Sequence, residues 1–226
     1  EDRVRDVSTK VEGRMHVLLP TYFDSELLQS VVIPQYLSTY PDVDLSVVIV
    51  TNPIDHLQDD FDLLVAGKLP QDRFPDSSAI SRQLIKLGGA LFASPEYLDR
   101  EGRPTHPSEL ADHNCLSYLN RTWHFTTPEG NPLIVESQGN LATNSNHLLR
   151  GATLAGLGIA YSFPMFFEED VTAGRVEPLL GEYTAGSYIE INIFMPKLQF
   201  VPRRTRAFID ALLVHFRGEE ASSFEQ

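Results

Sequence analysis

The chain is poor in the groups that most protein chemistry requires. Its 226 residues include one cysteine, Cys115, so no internal disulfide can form, which fits a reducing compartment. Asn114-Cys115-Leu116 reads as a buried small apolar position rather than a reactive thiol. No apolar run reaches the roughly 18 residues a membrane helix needs. The opening Glu1-Asp2-Arg3-Val4-Arg5-Asp6 is charged and lacks the apolar centre of a secretion signal. Because the first residue is not Met, the chain reads as a fragment or a processed product. Bases are scarce as well. Eighteen stand against 31 acids, for a net charge of −13, which argues against this segment gripping a phosphate backbone. A DNA-binding function would have to lie in another part of the protein.

Catalytic signatures are missing too. There is no G-x-S-x-G elbow, no H-E-x-x-H and no P-loop. Gly156-Leu157-Gly158 begins a G-x-G, but Tyr161 stands where a third glycine would be, so these glycines read as a helix end turning into a strand. Seven histidines, His16, His56, His106, His113, His124, His147 and His215, are scattered with none three or four residues from another. Metal ligation therefore lacks support. Asp59-Asp60 and Glu168-Glu169-Asp170 read as solvated acidic faces. Neither an enzyme nor a resident cofactor is expected.

What is present is an ordinary globular composition, 42% hydrophobic and 22% charged, carrying an alternating α/β pattern. Met15–Leu19 reads as a buried strand. Leu27, Leu28, Val31, Val32 and Leu37 follow at helical spacing, with Pro34 predicted to kink that helix. Val43–Val50 alternates as a strand, Pro53–Gln58 is a second helix candidate, and Phe61–Ala66 is a third strand. This order implies a parallel sheet with helices on its faces. Residues 67–78 are loop-like, and Ile80–Leu87 and Ala90–Ala93 are extended. A second α/β run then begins. Ser94 caps a helix with Pro95 at its first position, and Pro107 starts another. The segments 122–125 and 133–135 flank the turn Pro128-Glu129-Gly130-Asn131 as a hairpin. Asn144–Gly156 is helical, Gly158–Phe163 extended, Pro164–Ala173 helical and Tyr188–Met195 extended. Thr205–Phe216 is an amphipathic helix with Phe208, Ile209, Leu212, Leu213 and Phe216 on one side.

Polar groups gather at helix starts. Thr21, Tyr22 and Asp24 lie after the first strand, Thr51 and Asn52 after the second, and Thr143, Asn144, Ser145 and Asn146 before a helix of the second half. Free N–H groups and the positive dipole end make such places anion-friendly, and plain N-capping is the competing reading for each. Two lobes of this kind would take a ligand in the cleft between them, at strand C-termini and helix N-termini.

Several segments in order carry a resemblance. They are Gly13-Arg14-Met15-His16-Val17, Pro41-Asp42-Val43-Asp44-Leu45, Phe61-Asp62-Leu63-Leu64-Val65, Pro75-Asp76-Ser77-Ser78-Ala79-Ile80 and Ala93-Ser94-Pro95-Glu96-Tyr97-Leu98. His106-Pro107-Ser108-Glu109-Leu110-Ala111-Asp112-His113-Asn114-Cys115-Leu116 and Leu154-Ala155-Gly156-Leu157-Gly158-Ile159-Ala160 complete the set. Together they resemble the effector-binding domain of LysR-type transcriptional regulators. The resemblance implies an α/β, two-lobed, periplasmic-binding-protein-like fold, each lobe a mostly parallel sheet flanked by helices, with two crossovers. Lobe I would be 13–84 plus 187–217 and lobe II 85–186, with 1–12 the end of a linker helix and 218–226 a flexible tail. It implies an N-terminal winged helix-turn-helix domain, absent from this chain, as the only DNA contact, and a cytoplasmic bacterial protein that does not engage membranes. Homodimers that commonly pair into tetramers are implied, the first helix of lobe I packing near a lobe II helix of the partner.

The family's effector pocket maps onto Thr21, Tyr22, Phe23, Thr51, Asn52, Ala66, Gly67, Asn144, Ser145 and Tyr161, to which Asp24 is added from its position. Tyr22 replaces a common small Ser or Thr, and Ala66 replaces a common Arg. A pocket with Asp24 and without that Arg predicts a neutral or partly cationic, aromatic effector rather than a simple carboxylate. Binding would act allosterically, shifting the dimer or tetramer arrangement and with it promoter binding. The alternatives are a solute-binding protein of a transport system, which would need a secretion signal, and a small α/β enzyme, which would need a reactive constellation.

Overall fold

In the computed structural model, residues 10–23, 31–69, 72–184, 188–197 and 200–217 are described. The chain divides into two compact units, Glu1–Ile85 with Glu190–Gln226, and Lys86–Ile189, so it passes between them twice. Of the linker helix expected on 1–12, residues 1–9 lie outside the described residues and 10–12 are not helical; the tail expected on 218–226 lies outside the described residues as well.

The first unit builds β1 (Gly13–Pro20), α1 (Ile33–Thr39), β2 (Val43–Val50) and β3 (Leu63–Lys68). The chain then runs through β4 (Ile80–Gly88) into the second unit. There it forms β5 (Ala90–Ala93), α2 (Pro95–Glu101), β6 (Cys115–Tyr118), β7 (Thr122–Thr126), β8 (Pro132–Glu136), β9 (Ala142–Thr143), α3 (Asn146–Leu154), β10 (Ile159–Ser162), α4 (Glu168–Thr172), β11 (Glu177–Leu179) and α5 (Gly181–Thr184). It returns through β12 (Tyr188–Met195) and closes the first unit with α6 (Arg203–Arg217).

The first unit's sheet has the order β2-β1-β3-β12-β4. β1 is parallel to β2 and β3, and β12 runs antiparallel to β3. Side chains alternate across a strand, so the faces separate cleanly. Leu18, Leu64, Ala66 and Phe194 form one apolar cluster with Leu57 and Phe61. The α6 stripe is buried at Phe208, Ile209, Leu212 and Leu213, and Phe208 meets Tyr36 of α1 edge to face at 5.0 Å. Tyr36 is locked there, its hydroxyl donating to the Arg204 carbonyl at 2.9 Å. Burial, with a smaller push from Tyr40, raises its pKa to about 12 against a small opposing pull from Arg204. Two helix expectations shorten. Pro53–His56 is a single 3-10 turn, and Pro107–Asp112 is likewise 3-10, because neither stretch has enough apolar spacing to anchor several turns. Pro34 is the second residue of α1, and residues 31–32 before it are already helical with a wider, π-type spacing.

The second unit's sheet has the order β11-β5-β10-β6-β9, with β9, β6 and β10 mutually parallel and β5 antiparallel to both of its neighbours, β10 and β11. Leu91, Ala93, Cys115 and Ile159 point to one face, under Tyr97 and Leu98 of α2 and Trp123 and Phe125 of the hairpin. Phe92, Leu116 and Ala160 point to the other, under Leu149 and Ala152 of α3, with Phe92 stacked on Phe167 at 4.4 Å. Ser94 caps α2 by accepting the Tyr97 N–H at 3.3 Å. α3 ends at Gly156, whose φ of +68° suits glycine, with the Leu157 N–H reaching back to the Ala152 carbonyl at 3.2 Å. Gly158 is needed for another reason: a Cβ there would lie 2.1 Å from the Asn114 carbonyl oxygen, so β10 could not approach β6.

The acidic run at 168–170 is not wholly solvated. Asp170 is fully buried. It accepts from Arg150 of α3, whose Nη2 lies at 2.9 Å, and from Arg175 Nε at 2.7 Å. Asp170 stands one turn on from Phe166 and Phe167, which puts it on the inward face of α4, and the two guanidiniums make that burial tolerable.

Candidate functional site

In the first unit the predicted site residues sit where parallel strands end. Pro20 pairs with Val50, and Leu18 with Leu64; counting on from these pairs puts Thr21, Thr51 and Gly67 at one level. Thr21–Phe23 is a 3-10 turn that carries the chain off β1. Thr21 and Tyr22 are half-buried and Thr51 and Asn52 are exposed, with Asn52 Nδ2 donating to Asp55 Oδ2 at 2.9 Å. Phe23 and Ala66 are placed differently. Phe23 is 2% exposed and lies 5.2 Å from the Phe216 ring, while Ala66 is fully buried in the apolar cluster. Their side chains serve packing, which leaves their backbone to the strand end. Asp24 lies outside the described residues.

In the second unit, Tyr118 pairs with Thr143 and Leu116 with Ala160, which brings Leu119, Asn144 and Phe163 to one level. Asn144 is exposed. Ser145 caps α3, its Oγ accepting the Leu148 N–H at 3.3 Å, and its own N–H donates to Thr143 Oγ1 at 3.1 Å. The capping reading thus holds for Ser145. Tyr161 points to the other face. Its hydroxyl donates to the His124 carbonyl at 3.1 Å, and its ring lies 5.5 Å from Trp123 and 5.7 Å from Phe125. A Cβ at Gly89 would lie 2.7 Å from that ring, so glycine there makes room for it.

Three residues at these edges, Lys68, Leu119 and Leu148, were not singled out from the sequence, and a fourth, Asn146, was read only as one of several polar groups at a helix start. Lys68, the last residue of β3, is paired with Glu190 of β12, Nζ to Oε2 at 2.5 Å. Asn146 is 4% exposed; its Oδ1 accepts from Ser162 Oγ at 3.0 Å, and its Nδ2 has no partner. Leu119 holds a φ of +52° while 53% exposed, a strained place for a branched side chain that nothing in the sequence signals. Leu148, in the first turn of α3, is 54% exposed. The second-unit edge therefore offers apolar side chains with amide and hydroxyl groups, and no Asp, Glu, Lys or Arg among Leu119, Asn144, Ser145, Asn146, Leu148, Ser162 and Phe163.

Burial pushes the Cys115 thiol up to about 11, against weaker pulls from the Gln138 backbone and Arg121. His113 Nδ1 meets the Tyr97 hydroxyl at 3.1 Å, and His16 Nδ1 lies 3.3 Å from Ser46 Oγ. Among the described residues no three His, Cys, Asp or Glu side chains are grouped to hold a metal, and no helix is long and apolar enough to cross a membrane.

Comparison with known proteins gives these edges a context. Residues 8–217 match the family model described as the LysR substrate binding domain. The HTH-type transcriptional regulator CrgA of Neisseria meningitidis serogroup C (strain 8013) is 31% identical over 179 residues, covering 77% of this chain. The chain spans only 58% of that regulator's length. The solved regulatory domain of CrgA from Neisseria meningitidis is matched over 91% of this chain and 99% of its own, at 26% identity and a TM-score of 0.76. The full-length Vibrio cholerae virulence activator AphB shares the fold at 22% identity and a TM-score of 0.78, over 92% of this chain and 69% of its own. The periplasmic-binding-protein-like α/β architecture expected from the sequence is thus the observed one. These relatives are transcriptional regulators, neither enzymes nor solute-binding proteins of transport systems. The chain belongs to the LysR substrate-binding domain family.

Proposed function

We propose that this chain is the effector-sensing part of a LysR-type transcriptional regulator, and that its two strand-end edges are the surfaces that contact a small molecule. The observation that carries the reading is the chemistry of those edges. Thr21, Tyr22, Thr51, Asn52 and Gly67 in the first unit, and Asn144 and Ser145 in the second, present hydroxyl, amide and backbone groups without a free cation among them. Phe23 and Ala66 shape the first edge from beneath, and Tyr161 braces the second unit through the hairpin. Exposed Asp55 beside Asn52 adds negative charge to the first edge. A neutral or partly cationic ligand with an apolar or aromatic body suits this set, and a simple carboxylate does not.

In this reading the full-length protein works in the cytoplasm as a homodimer or tetramer, without a cofactor and without catalysis. It contacts DNA through a winged helix-turn-helix domain preceding this chain, and effector binding shifts the oligomer and the promoter complex. The test is a thermal-shift screen of the chain against amines, aromatic alcohols, amides and simple acids. A neutral or cationic hit whose shift disappears in Tyr22→Ala and Asn144→Ala supports the reading. A tightly bound simple acid lost on Tyr22→Ala would overturn the ligand class.

A further inference from the structure

We propose that Glu190 is an internal counterion that denies Lys68 to carboxylate ligands. The inference rests on reading the first-unit edge as an effector surface. Lys68 follows Gly67 at the end of β3, at the level where β1 and β2 also end. Its cross-strand partner in β12 is Glu190. Nζ lies 2.5 Å from Glu190 Oε2, and the two side chains are only 18% and 21% exposed. The ammonium also donates to the Leu69 carbonyl at 3.5 Å and stands 5.9 Å from the centre of the Phe74 ring. Two of its three protons therefore have oxygen partners within the chain, and its remaining side faces an aromatic ring.

An ammonium this far from water needs an anion close by. Two sources could supply one: a ligand carboxylate or a carboxylate of the chain. Glu190 is fixed across the sheet by strand pairing, so it meets Lys68 as an intramolecular partner, at an effective concentration that a free acid reaches only in the millimolar range or above. A carboxylate ligand would have to expel Glu190, leaving that carboxylate part-buried and unpaired. The pair thus selects against acids by occupation and by repulsion, which is how a site rejects a competitor without new contacts to its own ligand. A merely structural ion pair between β3 and β12 would explain the geometry but would predict no gain of anion binding when Glu190 loses its charge.

The experiment is calorimetry on the 226-residue chain at constant ionic strength, with acetate, butyrate and phenylacetate as probes. Glu190→Gln keeps the size of the side chain and an oxygen for Lys68 while removing the charge; Glu190→Thr, suited to a strand, serves if the glutamine variant does not fold. The expected result is at least a ten-fold tighter Kd for the probes than in the parent chain, with the gain abolished in the Lys68→Met/Glu190→Gln double variant. No gain in either single variant, or a gain that survives removal of Lys68, overturns the counterion role. Thr51→Val, added to Glu190→Gln, separates the two ideas. A gained affinity that Thr51→Val leaves untouched counts against the effector-edge reading alone, whereas absence of any gain counts against the counterion alone.

Discussion

Asp170→Asn removes the one charge that two arginines share in the second unit. The carboxylate is fully buried, while Arg150 is 33% and Arg175 50% exposed. Taking one partner from a wholly buried ion pair costs about 3–5 kcal/mol, because the survivors are left desolvated and unmatched. Here water reaches both guanidiniums and absorbs part of that penalty, so about 2–3 kcal/mol is expected. For a chain of this size each kcal/mol moves Tm by about 2–4 °C, which gives a fall of about 4–12 °C at pH 7 by circular dichroism or calorimetry. The pH dependence fixes the cause. Burial pushes the Asp170 carboxyl up, but the hydrogen bonds and charges of Arg150 and Arg175 outweigh it, and the net folded pKa is lowered. A lowered folded pKa contributes stability that is present above the unfolded value, about 3.9 for Asp, and is lost as pH falls through the folded value. The parent and Asp170→Asn melts should therefore stay apart from pH 5 to 8 and converge below about pH 4. A fall under 1 °C at pH 7, or a gap that persists into strong acid, would show that the Asp170 charge does not stabilise the fold.

Other outcomes follow from single contacts. Cys115, with its thiol pushed up to about 11, should react with a thiol-disulfide reagent at pH 7.5 at least a hundred-fold more slowly in the folded chain than in urea. Gly158→Ala brings a Cβ to 2.1 Å from backbone, so it should abolish soluble expression or lower Tm by about 8 °C or more, whereas Gly151→Ala, with open space around it, should leave Tm unchanged or slightly higher. Leu119→Gly relieves a φ of +52° and gives up little burial, so Tm should hold or rise while affinity for a screen hit falls; a large loss of Tm would show that the leucine is needed for packing. Tyr161→Phe removes the hydroxyl that donates to the His124 carbonyl and should cost about 0.5–1.5 kcal/mol, read from the urea midpoint.

The elements the sequence made legible were those with local causes. Ser94 and Ser145 cap helices because a hydroxyl placed before an apolar periodic stretch has few other uses, and Gly156 ends α3 because the left-handed turn there suits glycine. The hairpin was readable from Pro128-Glu129-Gly130-Asn131, whose Gly130 takes a φ of +87°. Long-range choices were not readable. Lys68 and Glu190 are 122 residues apart and meet only through the β3–β12 register. Asp170 looked solvated within an acidic run because its partners, Arg150 and Arg175, come from a different helix and the following turn. The strand-end position of Thr21, Thr51 and Gly67 was implied by parallel pairing, but the burial of Phe23 and Ala66 depended on α6 and β12, which return from the far end of the chain.

If this chain senses a small molecule on behalf of a DNA-binding protein, promoter binding by the full-length protein must respond to a ligand identified on the 226-residue chain. In a titration with that ligand the affinity or the footprint should change, and Tyr22→Ala and Asn144→Ala should abolish the change while leaving ligand-free DNA binding intact. The 226-residue chain alone, at a net charge of −13, should not bind the promoter. A ligand that saturates the chain yet leaves promoter binding unaltered would rule out the sensing role.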